Sequence, residues 1–289
     1  MNDRSRPATP DTAIRFGVNL PQQHLEWPEL LRRVRVLEQL GFDGAWVMDH
    51  FQVLDGSRPG SCLESWSLLP ALAAATSRIR LGVLVTGVTY RHPSILAAQA
   101  VTVDHISAGR LELGLGAGWH EGEHRALGLR LPPVRERAGR LEEAVILIRK
   151  LMTEEDATFS GRYYCLLGAN YRPWPVQRPH PPIWIGAGGE QLMLPIVARH
   201  ADVWHGPNMA SVHEFRRKSM LLDQLARTAG RDPARILRSA SLRLGEPWDE
   251  VRRAAADLVE AGAGYIMLTW PTDETWLTEY AVRLMREFA

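Results

Sequence analysis

The sequence predicts an α/β fold, a (β/α)8 TIM barrel with an insertion region over the C-terminal mouth. Three observations predict it. Short apolar runs alternate with segments of helical period from one end of the chain to the other. The alternation completes about eight β/α units in about 275 residues, the size and rhythm of a barrel, whereas a doubly wound sheet usually has fewer strands. Residues 153–181 alone break the rhythm, with FSGRYYCL and the proline-rich RPWPVQRPHPP. That stretch is too long for an ordinary loop and is expected to fold over the mouth as a hairpin or lid.

In order, residues 14–20 (IRFGVNL) read as a buried strand. Pro28 opens a helix whose Leu30, Val34, Leu37 and Leu40 share one stripe, and Gly41 closes it. AWVM (45–48) is the next strand, followed by a helix near 64–76, the strand IRLGVLVT (79–86) and a helix over 94–106. RLELGLG (110–116) is a fourth strand, and the helix across 137–152 carries Leu141, Ala144, Val145, Ile148 and Leu151 on one face. PIWIG (182–186) and ADVW (201–204) flank a helix near 191–200, in which Pro195 marks a late start or a kink. A helix over 212–229 stops at Gly230; ILRSASLRL (236–244), a helix at 248–261, YIML (265–268) and a last helix from Glu274 finish the chain.

Composition narrows the function classes. A chain of 289 residues with 45% hydrophobic and 23% charged residues is sized to bury one large core, and 1–289 is read as a single domain. A formal net charge of +1 gives no field toward nucleic acid or anionic lipid. Lys occurs only at Lys150 and Lys218, a bias toward Arg that reads as genomic rather than as a polyanion site. Two cysteines, Cys62 and Cys165, supply neither a disulfide framework nor a Cys-rich zinc site. Residues 1–12 lack the apolar core of a signal peptide and are expected to be a disordered tail. No apolar run approaches the ~20 residues that span a bilayer, so the expectation is a cytoplasmic protein.

Residues 120–124, HEGEH, match the H-E-x-x-H pattern of zinc peptidases. That pattern needs both histidines on one helical face. Here Gly114, Gly116 and Gly118 precede it and Gly122 sits within it, and each internal glycine costs a helix about 1 kcal/mol relative to Ala. The segment is therefore expected to be a loop, with no metal site. A dinucleotide fingerprint fails as well, because its last glycine would be Trp119. What remains is bare backbone at Gly116 and Gly118, where a flat ring or a phosphate can approach closely.

Other strand ends place chemistry at the same rim. Strand two ends in MDHFQ, bringing Asp49 and His50 there, as local caps or as a proton donor and acceptor. Strand three ends in VLVTGVTYRHP, with hydroxyls at Thr86, Thr89 and Tyr90. Strand five ends in IGAGGE, whose Gly188 and Gly189 precede a helix and could present N–H groups to an anion.

These blocks are similar to those of the luciferase-like monooxygenase superfamily, in particular its members that use coenzyme F420, a 5-deazaflavin. The resemblance runs from about residue 14 to the C-terminus through GFDGAWVMDHF, RIRLGVLVTGVTYRHPSILAAQAVTVDHISAGRLELGLGAGWHEGEH, PPIWIGAGGE and GEPWDEVRRAAADLVEAGAGYIML. It implies a (β/α)8 barrel with an insertion. It implies further that His50 is the catalytic proton donor or acceptor, with Asp49 beside the ring system. Leu84, Val85 and Thr86 resemble the segment that often holds a non-prolyl cis peptide behind the flavin. Ala117 and Gly118 resemble backbone contacts to the cofactor, and Gly188 and Gly189 its phosphate cradle.

Two departures are evident. F420-dependent glucose-6-phosphate dehydrogenases share DHFQ, at 49–52 here, but carry a Trp where this chain has Leu54 and a carboxylate where it has Trp119. That puts sugar-phosphate oxidation in doubt. Trp46, Tyr90, Trp119 and Trp204 are available to wall a pocket for a flat or apolar substrate. The expected function is hydride transfer between F420 and a small organic substrate, in a homodimer. The alternative is an FMN-dependent two-component monooxygenase supplied with reduced cofactor by a reductase.

Overall fold

The computed structural model describes residues 13–54, 60–207, 211–244 and 247–288; the proposed tail at 1–12 lies outside them. Eight parallel strands close a barrel: β1 (Arg15–Asn19), β2 (Gly44–Val47), β3 (Arg80–Val83), β5 (Leu111–Gly116), β8 (Ile183–Gly186), β9 (Val203–Gly206), β10 (Leu237–Leu242) and β11 (Tyr265–Thr269). Closure comes from β1 pairing with both β2 and β11, and from β3 pairing with β5 through Leu81↔Leu111 and Gly82↔Glu112. β4 (Thr86–Gly87) continues the path of β3 and pairs with the end of β5.

Outside the barrel lie α1 (Trp27–Leu40), α2 (Ser65–Ala74), α3 (Pro93–Ile106), α4 (Glu121–Ala126), α5 (Val134–Thr153), α6 (Met193–His200), α7 (Val212–Thr228), α8 (Trp248–Glu260) and α9 (Val282–Glu287). α1 ends on Gly41 at φ 95, a left-handed position that glycine takes without a Cβ penalty. Pro195 falls in the first turn of α6, where its missing N–H has no helical partner to lose, so it sets a late start and no kink. The last predicted helix contains a π-helical turn over Leu277–Ala281, ahead of α9. Among the described residues no helix is long and apolar enough to cross a membrane.

The barrel interior is packed, not hollow. Trp46 and Trp184 meet with ring centroids 4.4 Å apart, and Tyr265 packs edge-on against both. Gly17 and Gly44 make the room: a Cβ on either would strike the Tyr265 hydroxyl. Glu112, fully buried among these rings, accepts from the Trp184 indole and from Arg80; burial pushes its carboxyl up, and Arg80 opposes that shift.

Residues 153–181 contain an antiparallel hairpin, β6 (Ala157–Ser160) and β7 (Cys165–Ala169). Its turn donates three backbone N–H groups to the Glu143 carboxylate of α5, and Tyr164 meets His92 at the start of α3. The chain then descends past Ala98 to Trp174 on His105 and Gln177 on Asp104. The insert thus packs against α3 and α5.

Candidate functional site

HEGEH is helical, contrary to the loop expected from its glycines. α4 begins at Glu121, and His120 caps it, its Nδ1 accepting the Glu123 N–H at 2.9 Å. That side-chain cap offsets the low helix propensity of Gly122. The two histidines are already committed. His124 uses one ring nitrogen on the His120 carbonyl and the other on Thr89 Oγ1, both at 2.8 Å. No group of three metal-ligating side chains occurs among the described residues.

The helix serves instead to deliver Glu123, a residue the sequence reading passed over. Glu123 is fully buried and receives the Phe51 N–H at 2.8 Å, the Gln52 N–H at 3.0 Å and the Tyr90 hydroxyl, with His50 Nδ1 at 2.9 Å. Burial pushes its carboxyl up, but Tyr90, the Phe51 N–H and His50 outweigh burial and hold it below the usual range. Tyr90 is pushed well above its ordinary value, first by burial and then by Glu123. His50 keeps 12% of its side chain exposed, edge-on to Trp119 at 5.8 Å.

Asp49 faces the other way and acts as a clamp. Its carboxylate accepts from Ser65 Oγ at 2.8 Å, the Gly87 N–H at 2.9 Å and Arg91 at 2.7 Å, and Arg91 also holds Glu64. One buried carboxylate thereby ties the ends of β2, β4 and α2. Gln22, likewise unnoticed in the sequence, joins the β1 and β2 loops through Met48 N and O.

The segment at 84–86 holds a non-prolyl cis peptide, Leu84-Val85. Leu84 packs into the interior aromatic cluster, and Thr86 accepts from the Trp66 indole at 3.0 Å. Val85 lies against bare backbone on two neighbouring strands: a Cβ on Gly116 would come within 2.5 Å of it and one on Gly186 within 3.1 Å. Ala117 packs half-buried on the core. Gly118 has φ +77, and a Cβ there would meet Thr89 Oγ1 at 2.4 Å. One contact chain thus links Gly118 to His50, through Thr89, His124, Tyr90 and Glu123.

Gly188 and Gly189 follow β8, whose Gly186 abuts Val85. A Cβ on Gly188 would meet nothing within 4 Å, so its outer side is open. Trp46 and Trp204 wall no pocket. The first fills the barrel interior, and the second stacks on Phe215 at 5.4 Å, its indole held by the Ala187 carbonyl.

The residues suit a flat ring with a phosphate. Gly116 and Gly118 let Val85 and Thr89 pack close, the Gly188 side is open, and Asn19 Oδ1 at the end of β1 is buried without a partner. Asn19 lies two residues beyond inward-facing Gly17, so it shares the interior face. Among the described residues, such an orphan acceptor is one a ring donor can satisfy.

Comparison with known proteins agrees. The family model for luciferase-like monooxygenases matches residues 12–281. An F420-dependent hydroxymycolic acid dehydrogenase of Mycobacterium tuberculosis is 31% identical over 91% of this chain and 72% of its own. An F420-dependent glucose-6-phosphate dehydrogenase of Kineococcus radiotolerans is 41% identical over 53% of this chain, and the match spans 44% of that relative. Among solved structures, the F420-dependent tetrahydromethanopterin reductase of Methanopyrus kandleri superposes with TM-score 0.82 over 96% of this chain and 100% of its own at 19% identity. An F420-dependent secondary alcohol dehydrogenase does so with TM-score 0.84 over 96% and 99% at 18% identity. With the barrel, the strand-end glycines and the match over residues 12–281 in agreement, the chain belongs to the luciferase-like monooxygenase family.

Proposed function

We propose that this chain is an F420-dependent oxidoreductase that moves a hydride between the deazaflavin and a small organic substrate, with His50 handling the accompanying proton. The observation that carries the reading is the His50–Glu123 pair, 2.9 Å apart, in contact sequence with Gly118. The relatives named for F420 support the cofactor, at 31% and 41% identity.

Bound at the strand ends, the deazaflavin supplies a two-electron hydride carrier. Val85, Gly116 and Gly118 would take its ring, and Gly188 and Gly189 its phosphate. An ionised carboxylate only accepts hydrogen bonds, so Glu123 fixes the hydrogen of His50 on Nδ1 and leaves Nε2 as the exchanging nitrogen. As a substrate is oxidised, Nε2 takes its proton; in reduction the imidazolium returns it. Trp119, 64% exposed beside His50, stands where a carboxylate would serve as a second acid or base, so the proton work falls on the imidazole.

Titration of F420 and FMN side by side tests the proposal. Saturable F420 binding should raise the melting temperature, native-state binding at 100 Kd being worth about 2.7 kcal/mol. Oxygen uptake that depends on reduced FMN would move the reading to a two-component monooxygenase. Absence of saturable deazaflavin binding would defeat it.

A further inference from the structure

We propose that Lys218 is a positioning residue for the phosphate of the cofactor, acting by locking the peptide plane between Gly188 and Gly189. Lys218, one of two lysines in the chain, is 7% exposed on α7. Its Nζ donates to the Gly188 carbonyl at 2.8 Å and pairs with Glu214 at 2.7 Å. The preceding residue of α7, Arg217, grips Glu190 through two nitrogens. Consecutive cations of one helix thus hold the loop on both sides of Gly189.

The Gly188–Gly189 peptide is trans. In a trans plane the carbonyl and the next N–H point in opposite directions. Turning the Gly188 carbonyl toward α7 therefore turns the Gly189 N–H away from α7. The direction matters because both flanking residues are glycines, and a plane between two glycines rotates at low energetic cost. Without the ammonium the loop would sample both orientations, and only one offers the N–H to an anion. A charge-assisted bond to a nearly buried ammonium is strong enough to bias that choice.

The inference rests on the reading of this loop as a phosphate cradle, and the test separates the two. Dissociation constants of F420 and of its phosphate-free ribityl-deazaflavin are measured on the native protein and on Lys218→Met. The expected result is a loss of about tenfold or more for F420, with the phosphate-free form within about twofold, since only the former carries the phosphate. Unchanged binding of the phosphate-free form also shows that the variant is folded. Should Lys218→Met not fold, Lys218→Gln, uncharged and one bond too short, is read by the same ratio. Equal losses for both ligands, or no loss for either, overturn the role of Lys218. Failure of the native protein to bind F420 overturns the functional reading and this inference with it.

Discussion

His50 and Glu123 stand 73 positions apart in the chain and meet at 2.9 Å between Nδ1 and Oε2. Glu123 is buried, and the Phe51 and Gln52 N–H groups and the Tyr90 hydroxyl converge on it. These donors stabilise the ionised form, and an ionised partner admits one tautomer of the imidazole. In the proposed mechanism the exchanging nitrogen is thereby set before substrate arrives.

Glu123→Gln tests that arrangement. The amide can turn its NH2 toward Nδ1 and favour the tautomer with hydrogen on the wrong nitrogen. The turnover number is expected to fall by at least about tenfold and by up to ~10⁴-fold, with KM changed by no more than about threefold. A folded variant with native turnover would remove Glu123 from the mechanism.

His50→Ala should act on the proton and spare the cofactor. Loss of a positioned acid or base slows the chemical step by about 10²–10⁴-fold. F420 affinity should stay within about threefold of native, since the ring is assigned to Val85, Gly116 and Gly118. Single-turnover rates beside equilibrium titrations read the two effects separately. Full turnover in the variant would leave His50 no catalytic part.

Gly118→Ala addresses the bare backbone. At φ +77 an alanine is strained, and its Cβ would lie 2.4 Å from Thr89 Oγ1, which is itself tied to His124. The two effects together are expected to cost about 2–3 kcal/mol, or about 4–10 °C in Tm for a chain of this size. Gly128 supplies the control: φ is +69, but a Cβ there meets nothing within 4 Å, so Gly128→Ala should show the backbone share alone, about 1 kcal/mol. Only the Gly118 variant should also weaken F420. Equal behaviour of the two variants would mean that the contact with Thr89 is immaterial.

The strands and helices were legible because each carries its own period, and Gly41 and Gly230 punctuate α1 and α7 where the backbone turns left-handed. The positions of His50 and Gly118 just beyond strand ends were legible too. Glu123 was not. Its partners, His50, Phe51 and Tyr90, come from two other β/α units, and no local spacing links them to it. The glycines around HEGEH pointed to a loop, because the cap from His120 that rescues the helix depends on side-chain geometry rather than composition. Trp46 and Trp204 show a second limit. Alternation puts adjacent strand residues on opposite faces, but a tryptophan plugging the barrel and one under a helix read alike when both faces are apolar.

His205, on β9, carries a prediction about stability. It is 5% exposed, its Nδ1 lies 3.1 Å from Ser239 Oγ, and burial pushes it down to about 4 from the ordinary 6.5. Between those values the unfolded chain binds a proton that the native chain refuses, so unfolding is favoured as the pH falls. The stability tied to this residue is therefore complete above about pH 6.5, declines through the interval and is lost below about pH 4. At 1.36 kcal/mol per unit the whole effect is about 3 kcal/mol. His205→Gln, which cannot titrate, should flatten this part of the profile. Urea unfolding at pH 4.5 and 7.5 makes the comparison, the native chain losing about 2–3 kcal/mol more than the variant between the two values. Carboxylates that also titrate there contribute to both proteins alike and drop out of the difference. Parallel losses in the two proteins would show that His205 is protonated in the folded state as readily as in the unfolded one.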